Sequence, residues 1–155
     1  MMKRFSMFAL LFIIPVAVLA QEKDAKTVAQ DVLDKGSALF DTRDAAAMAA
    51  TYTEDAQLLW VDKDNSTGEI KVSVKTDRTE IESLYRDLFK DATEKTTSKN
   101  TVEFARFVAP DLMVIQGVFQ PNVDKPAKFP FVQMRVKQGD KWLLKNLQLY
   151  VFEQN

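Results

Sequence analysis

The sequence predicts an α+β chain in which three helices precede an antiparallel sheet of about five to six strands. Apolar residues recur at helical spacing only before Lys90, and strand-like alternation takes over after Lys99. The later segments are joined by turns too short to hold helices, so neighbouring strands run antiparallel. Helices first and a long antiparallel sheet afterwards is the α+β order.

The first helix is read from about Asp24 to Phe40, where Val28, Val32, Leu33, Gly36, Leu39 and Phe40 fall on one stripe. Asp41 or Thr42 can cap a second, alanine-rich helix from Asp44 to about Tyr52. A strand, Ala56 to Val61, then turns through the polar stretch Asp62 to Gly68 into a hairpin partner, Glu69 to Lys75. The third helix carries the clearest local signal. Asp77 with Glu80 three residues on resembles a capping box, and Ile81, Leu84, Tyr85, Leu88 and Phe89 form its apolar stripe. Strands follow at Thr101 to Val108, Leu112 to Phe119 and Lys128 to Lys137, and a tight Gln138-Gly139-Asp140-Lys141 turn leads into the last, Trp142 to Phe152.

Ahead of these elements, Lys3 and Arg4 precede an apolar run, Phe5 to Leu19, that closes on Val18-Leu19-Ala20 before the polar Gln21-Glu22-Lys23-Asp24. That order is a secretory signal peptide. The run contains Pro15 and is about 15 residues long, short of the roughly 20 that span a bilayer. Cleavage after Ala20 is expected, leaving residues 21 to 155 as one periplasmic or secreted domain with no membrane span. The chain has no cysteine, which excludes a lipoprotein anchor and disulfides. Without Lys3 and Arg4, 19 basic residues face 22 acidic ones, a net charge near −3 with no basic cluster, so nucleic acid is not an expected partner.

There is no histidine either. A Ser-His-Asp triad, a Cys-His dyad and a zinc-hydrolase site are therefore excluded, leaving carboxylate, tyrosine, lysine or hard-metal chemistry. Glu54-Asp55 and Asp62/Asp64 lack the acid spacing and glycine of a calcium loop and read as solvated loops, so neither metal nor cofactor is expected. Asn65-Ser66-Thr67 matches a glycosylation acceptor by chance and marks an exposed loop. Arg106 reads first as a rim residue paired with Glu103 or water, and second as a partner for an anionic ligand.

The run from Phe40 to Ala56, FDTRDAAAMAATYTEDA, resembles the second-helix signature of the nuclear-transport-factor-2-like superfamily, which includes SnoaL-like polyketide cyclases and ketosteroid isomerases. Val136-Lys137-Gln138-Gly139-Asp140-Lys141-Trp142-Leu143-Leu144 is similar to that superfamily's closing hairpin. The resemblance spans nearly all of residues 25 to 152 in element order. It implies a cone in which helices cover one face of a strongly curved sheet and leave a pocket at the open end. It implies no activity. Aligned on Tyr52 and Asp55, Gly36 stands where the isomerases carry a tyrosine and Trp60 where they carry the catalytic aspartate. Both departures remove that chemistry. The histidine and aspartate of the dehydratase relatives have no counterpart. Asp55 matches the superfamily, and at a helix-to-strand junction it reads first as an acceptor of backbone N–H groups, with general base second.

Strand alternation supplies the pocket candidates. A two-residue Gly139-Asp140 loop sets Gln133 opposite Asn146, Phe131 opposite Gln148 and Phe129 opposite Tyr150, with Arg135 near Leu144. With Trp60 and Tyr85 this face makes a small-molecule pocket of aromatics, amides and one guanidinium. The other face, Val132, Met134 and Val136 across from Leu143 and Leu147, forms an apolar patch expected to pair two copies of the chain. The sequence thus points to a non-catalytic domain that binds a small apolar or amphipathic molecule, or a protein partner. The competing reading is an isomerase, dehydratase or cyclase using Tyr52, Tyr85 or Tyr150 with Asp55.

Overall fold

The computed structural model describes residues 14–64, 66–92 and 97–152, with side chains from Ala25 onward. Most of the expected signal segment, residues 1–13, lies outside the described residues, as does Asn65. From Ile14 the backbone is helical, so α1 runs Ile14–Thr42 and begins well before the expected Asp24. Among the described residues no helix is long and apolar enough to cross a membrane.

The helix α1 buries Ala25, Ala29, Leu33 and Ser37, a ridge of mostly small residues at i, i+4 spacing that brings its backbone close to the sheet. The larger stripe read from sequence, Val28, Val32, Gly36, Leu39 and Phe40, lies beside that ridge and lines a cavity. The short α2, Ala45–Ala49, is capped by Asp44, whose carboxylate accepts from the Ala47 N–H at 2.9 Å, rather than by Asp41 or Thr42. It stops three residues before Tyr52, which opens β1, Tyr52–Lys63. A hairpin joins β1 to β2, Ile70–Lys75. The helix α3, Arg78–Lys90, starts at Asp77, whose carboxylate takes the Glu80 N–H at 2.8 Å while Glu80 takes the Thr76 N–H at 2.9 Å. Its Ile81 and Tyr85 are buried and Leu84 and Phe89 pack beside them.

The remaining strands are β3, Lys99–Ala109, β4, Leu112–Gln120, β5, Phe129–Gln138, and β6, Lys141–Phe152. All six form one curled, unclosed sheet in the order β2-β1-β6-β5-β4-β3. Four of the five pairings are antiparallel, but β1 and β6 run parallel, which corrects the wholly antiparallel expectation. These two strands are far apart in sequence, so no tight turn dictates their relative direction. Polar side chains fasten α1 to the edge strand β3. The Gln30 amide donates to the Asn100 carbonyl at 2.9 Å and accepts from the Val102 N–H at 3.1 Å. Asn100 donates to the Ser37 hydroxyl at 2.7 Å, and the Asp41 carboxylate accepts from the Ser98 N–H at 3.0 and 3.1 Å.

The β5–β6 hairpin corrects the expected register. Gln138 pairs with Lys141 across Gly139-Asp140, and Arg135 pairs with Leu144, both as expected. Gly139 adopts φ 59°, a left-handed conformation that glycine takes without strain. Beyond Leu144 the register slips, because Lys145 is an extra residue on β6. Met134 then pairs with Asn146, Gln133 with Leu147, Val132 with Gln148 and Phe131 with Leu149. With a side-chain period of two, the slip exchanges the faces of everything that follows. Leu147 and Leu149 therefore join Gln133 and Phe131, and Asn146, Gln148 and Tyr150 move to the opposite face. Leu147 is 7% exposed and belongs to the core, so it leaves the apolar patch assigned to it from sequence.

Candidate functional site

The helices α1, α2 and α3 enclose, against the concave face of the sheet, a cavity of about 970 Å³ lined mainly by apolar side chains. Phe40 anchors one wall by edge-on contacts with Phe89 of α3 and Phe119 of β4, at centroid distances of 5.2 and 5.0 Å. Leu58 and Trp60 reach the cavity from β1, Phe131 from β5, and Leu144, Leu147 and Leu149 from β6. Gly36 lies in the α1 wall, and a methyl group built there would meet nothing within 4 Å.

One polar cluster interrupts this lining. The hydroxyls of Tyr52 and Tyr85 are 2.8 Å apart, and their side chains are 0% and 8% exposed. Burial raises both phenol pKa values, that of Tyr52 well above the ordinary value, so both are neutral hydrogen-bonding groups at physiological pH. Arg135, 5% exposed, donates from Nε to the Gln133 side-chain oxygen at 2.9 Å and from Nη1 to the Trp142 carbonyl at 3.0 Å. Burial depresses its pKa to about 10, and the nearby tyrosines oppose that shift. It remains a cation near neutrality and forms no ion pair with any described residue. The acids lining the cavity are Asp31 and Asp140, both exposed, and the other lining bases are the exposed Lys35, Lys137 and Lys141.

Of the residues expected at the pocket, Trp60, Tyr85, Phe131 and Gln133 line this cavity. Asn146, Gln148 and Tyr150 do not, since the Lys145 bulge turns them outward, where the Tyr150 hydroxyl donates to the Gln148 side-chain Oε1 at 3.0 Å. Tyr52 is at the cavity, but Asp55 is not its partner. The Asp55 side chain is 75% exposed, pairs with Lys145 and accepts from the Thr53 hydroxyl at 3.1 Å, contacts that hold its pKa below the usual range. The helix-to-strand junction is tied instead by Arg78, which donates to the Tyr52 carbonyl at 2.6 and 3.1 Å and to Glu54 at 2.7 Å. Asp64 folds its loop locally, accepting from the N–H groups of Ser66 and Thr67 at 2.9 and 3.0 Å.

No protein-family model and no curated protein matches the sequence. Solved structures match along most of the chain. An NTF2-like protein of unknown function from Pseudomonas putida superposes with a TM-score of 0.60 at 11% identity, over 84% of this chain and 88% of its own. A domain of unknown function with a cystatin-like fold from Nostoc punctiforme gives 0.59 at 14% identity, over 84% and 79%. A ketosteroid isomerase-like protein from Erwinia carotovora atroseptica gives 0.56 at 16% identity, over 92% and 100%. This chain has the NTF2-like, cystatin-like fold.

In this NTF2-like fold the cavity lies between the helices and the concave sheet, and its chemistry has to be read from the chain's own residues. Gly36 and Trp60, aligned in the sequence with the isomerase tyrosine and aspartate, both border the cavity. Sequence reasoning put Arg135 on this face as its one guanidinium; what it missed is Tyr52 as the partner of Tyr85. A lone arginine between Gln133 and Lys137 in an otherwise apolar alternation was the available signal for Arg135. In the NTF2-like sheet that alternation turns the guanidinium inward.

Proposed function

We propose that this chain is a non-catalytic binding domain that holds a small apolar or amphipathic molecule in the cavity between its helices and its curled sheet. The observation that carries the reading is a cavity of about 970 Å³, at the upper end of the roughly 300–1,000 Å³ typical of small-molecule sites, with apolar walls and one polar cluster. The cluster supplies neutral phenols and a cation, and the acids that border the cavity are exposed, so no buried carboxylate among the described residues stands ready to abstract a proton. That favours binding over the isomerase, dehydratase or cyclase reading. As part of the same reading, the chain is exported after loss of residues 1–20 and works in the periplasm or outside the cell. Two copies pair through the convex face of the sheet, where Val72, Val74 and Met134 are 55%, 45% and 39% exposed.

The test fills the cavity. Replacing Gly36 with Phe builds a ring from a cavity-lining position whose Cβ would meet nothing within 4 Å, and it removes a helix-interior glycine. Saturable 1:1 binding of the uncharged probe N-phenyl-1-naphthylamine to the wild type, lost in a folded Gly36→Phe variant, is the expected result. Equal binding by both proteins would place the probe elsewhere and overturn the reading.

A further inference from the structure

The unused hydrogen-bonding capacity of the polar cluster has a definite sign. A guanidinium only donates, so the Gln133 amide must turn its oxygen toward Arg135 Nε, which leaves the amide NH₂ free of that contact. Arg135 spends Nε on Gln133 and Nη1 on the Trp142 carbonyl. Its Nη2, with two N–H groups, has no hydrogen-bond partner among the described residues and is not sealed into the protein interior. In the Tyr52–Tyr85 pair one hydroxyl donates to the other, so the second keeps a proton to donate. Besides the lone pairs left on their oxygens, these four side chains thus offer several unused donor N–H and O–H groups, on a site carrying one positive charge. A buried cation without a carboxylate is costly unless something anionic meets it. The exposed charges around the cavity lean the same way, with Lys35, Lys137 and Lys141 against Asp31 and Asp140, and Asp31 is already paired with Lys35 at 2.8 Å.

Resting on the cavity-binding reading above, we propose that the ligand is an anionic amphiphile, an alkyl monocarboxylic acid of about decanoate's length. Its carboxylate sits against Arg135, Gln133 and the Tyr52–Tyr85 pair, and its tail lies along Leu58, Trp60 and Leu147. The carboxylate supplies only acceptor oxygens, which matches the donors on offer, and charge-assisted bonds of this type are roughly twice as strong as neutral ones. The tail accounts for the apolar walls, which a bare inorganic anion would leave unfilled. An uncharged alcohol of the same length would fill the walls and could accept a hydrogen bond, but would leave the charge of Arg135 uncompensated.

Decanoate and 1-decanol serve as the probes, titrated calorimetrically into the full chain and its Arg135→Met variant. Methionine keeps the unbranched stem of the side chain and removes the charge together with its bonds to Gln133 and the Trp142 carbonyl, so the variant's folding is checked by circular dichroism before titration. The wild type is expected to bind decanoate about tenfold or more tighter than decanol, a difference of about 1.4 kcal/mol or more. The variant is expected to keep decanol binding and lose the preference. A wild type that binds the two equally overturns the carboxylate seat and leaves the apolar cavity standing. Failure of both to bind saturably overturns the cavity reading and this one with it. Decanoate labelled with ¹³C at its carboxyl gives a readout that needs no variant. Its bound resonance should titrate below the pKa of the free acid, and a bound pKa unchanged or raised refutes contact with Arg135.

Discussion

Removing the two phenol hydroxyls one at a time and then together tests the centre of the site. In Tyr85→Phe the Tyr52 hydroxyl loses its partner at 2.8 Å in a position with no exposure. An orphaned buried polar group costs about 1–3 kcal/mol, and this one belongs at the upper end. In Tyr52→Phe the orphan is Tyr85, 8% exposed at the cavity, where water can reach it, so the loss should be nearer 1 kcal/mol. The double variant leaves no orphan and should lie well above the sum of the singles, with a coupling energy of about 1–2 kcal/mol. Urea unfolding followed by tryptophan fluorescence and circular dichroism gives the four stabilities. Additive single losses, within a few tenths of a kcal/mol, would refute the hydrogen-bonded pair. The same cycle has an alkaline arm. Burial raises both folded-state phenol pKa values above the ordinary value of 10.0. Below that pH both states hold their protons and the tyrosines' contribution is complete. Above it the unfolded chain releases protons the folded chain keeps, so stability falls as pH rises. Arg135, depressed to about 10, acts in the opposite direction there, because its unfolded form keeps a proton that the folded form loses. The difference between wild type and double variant isolates the tyrosines, and it should narrow as pH climbs past 10.

Gly117→Ala should destabilise the chain by about 1–3 kcal/mol, read as a lower urea midpoint with unchanged slope, because the new methyl would lie 2.2 Å from the Thr101 carbonyl oxygen and 2.9 Å from the Phe131 ring. Met134→Glu, on the convex face, should give a folded monomer by light scattering if two copies pair there. Leu147→Glu, 7% exposed and facing the cavity, should instead cost several kcal/mol of stability, and retained wild-type stability would contradict the bulged register. Intact-mass analysis of chain exported to the periplasm should show a mature form starting at Gln21, and retained Lys3 and Arg4 would defeat the export reading.

The fold was legible where local physics dictates structure. The Asp77 cap and the Ile81–Phe89 stripe place α3 unaided, and Gly139-Asp140 places the final turn. What stayed hidden depends on single residues whose effect is non-local. Nothing in Leu144-Lys145-Asn146 announces a bulge; the extra residue becomes evident only when Lys145 is seen to pair with Asp55 on the irregular start of β1. The inner ridge of α1 was also hidden, because Ala25, Ala29 and Ser37 carry a weaker hydrophobic signal than Val28 and Val32 beside them. The same mechanism explains the site. Gln133 and Phe131 were read on the right strand face, but their partners across the hairpin were one residue out, so Leu147 and Leu149 stand where the amides Asn146 and Gln148 were expected.

The seam between α1 and β3 bears on how this protein avoids unwanted partners. A sheet that does not close has two borders, and a bare border is a template on which a foreign strand can grow. On one border Gln30 acts as a surrogate strand, engaging the Asn100 carbonyl and the Val102 amide that an intruder would seek, while Asp41 takes the amide of Ser98. On the other, β2 is six residues long and carries Lys71 and Lys75, the short, charged kind of border that discourages growth. Strand-by-strand polymerisation thus has no ready starting point on the α1 side.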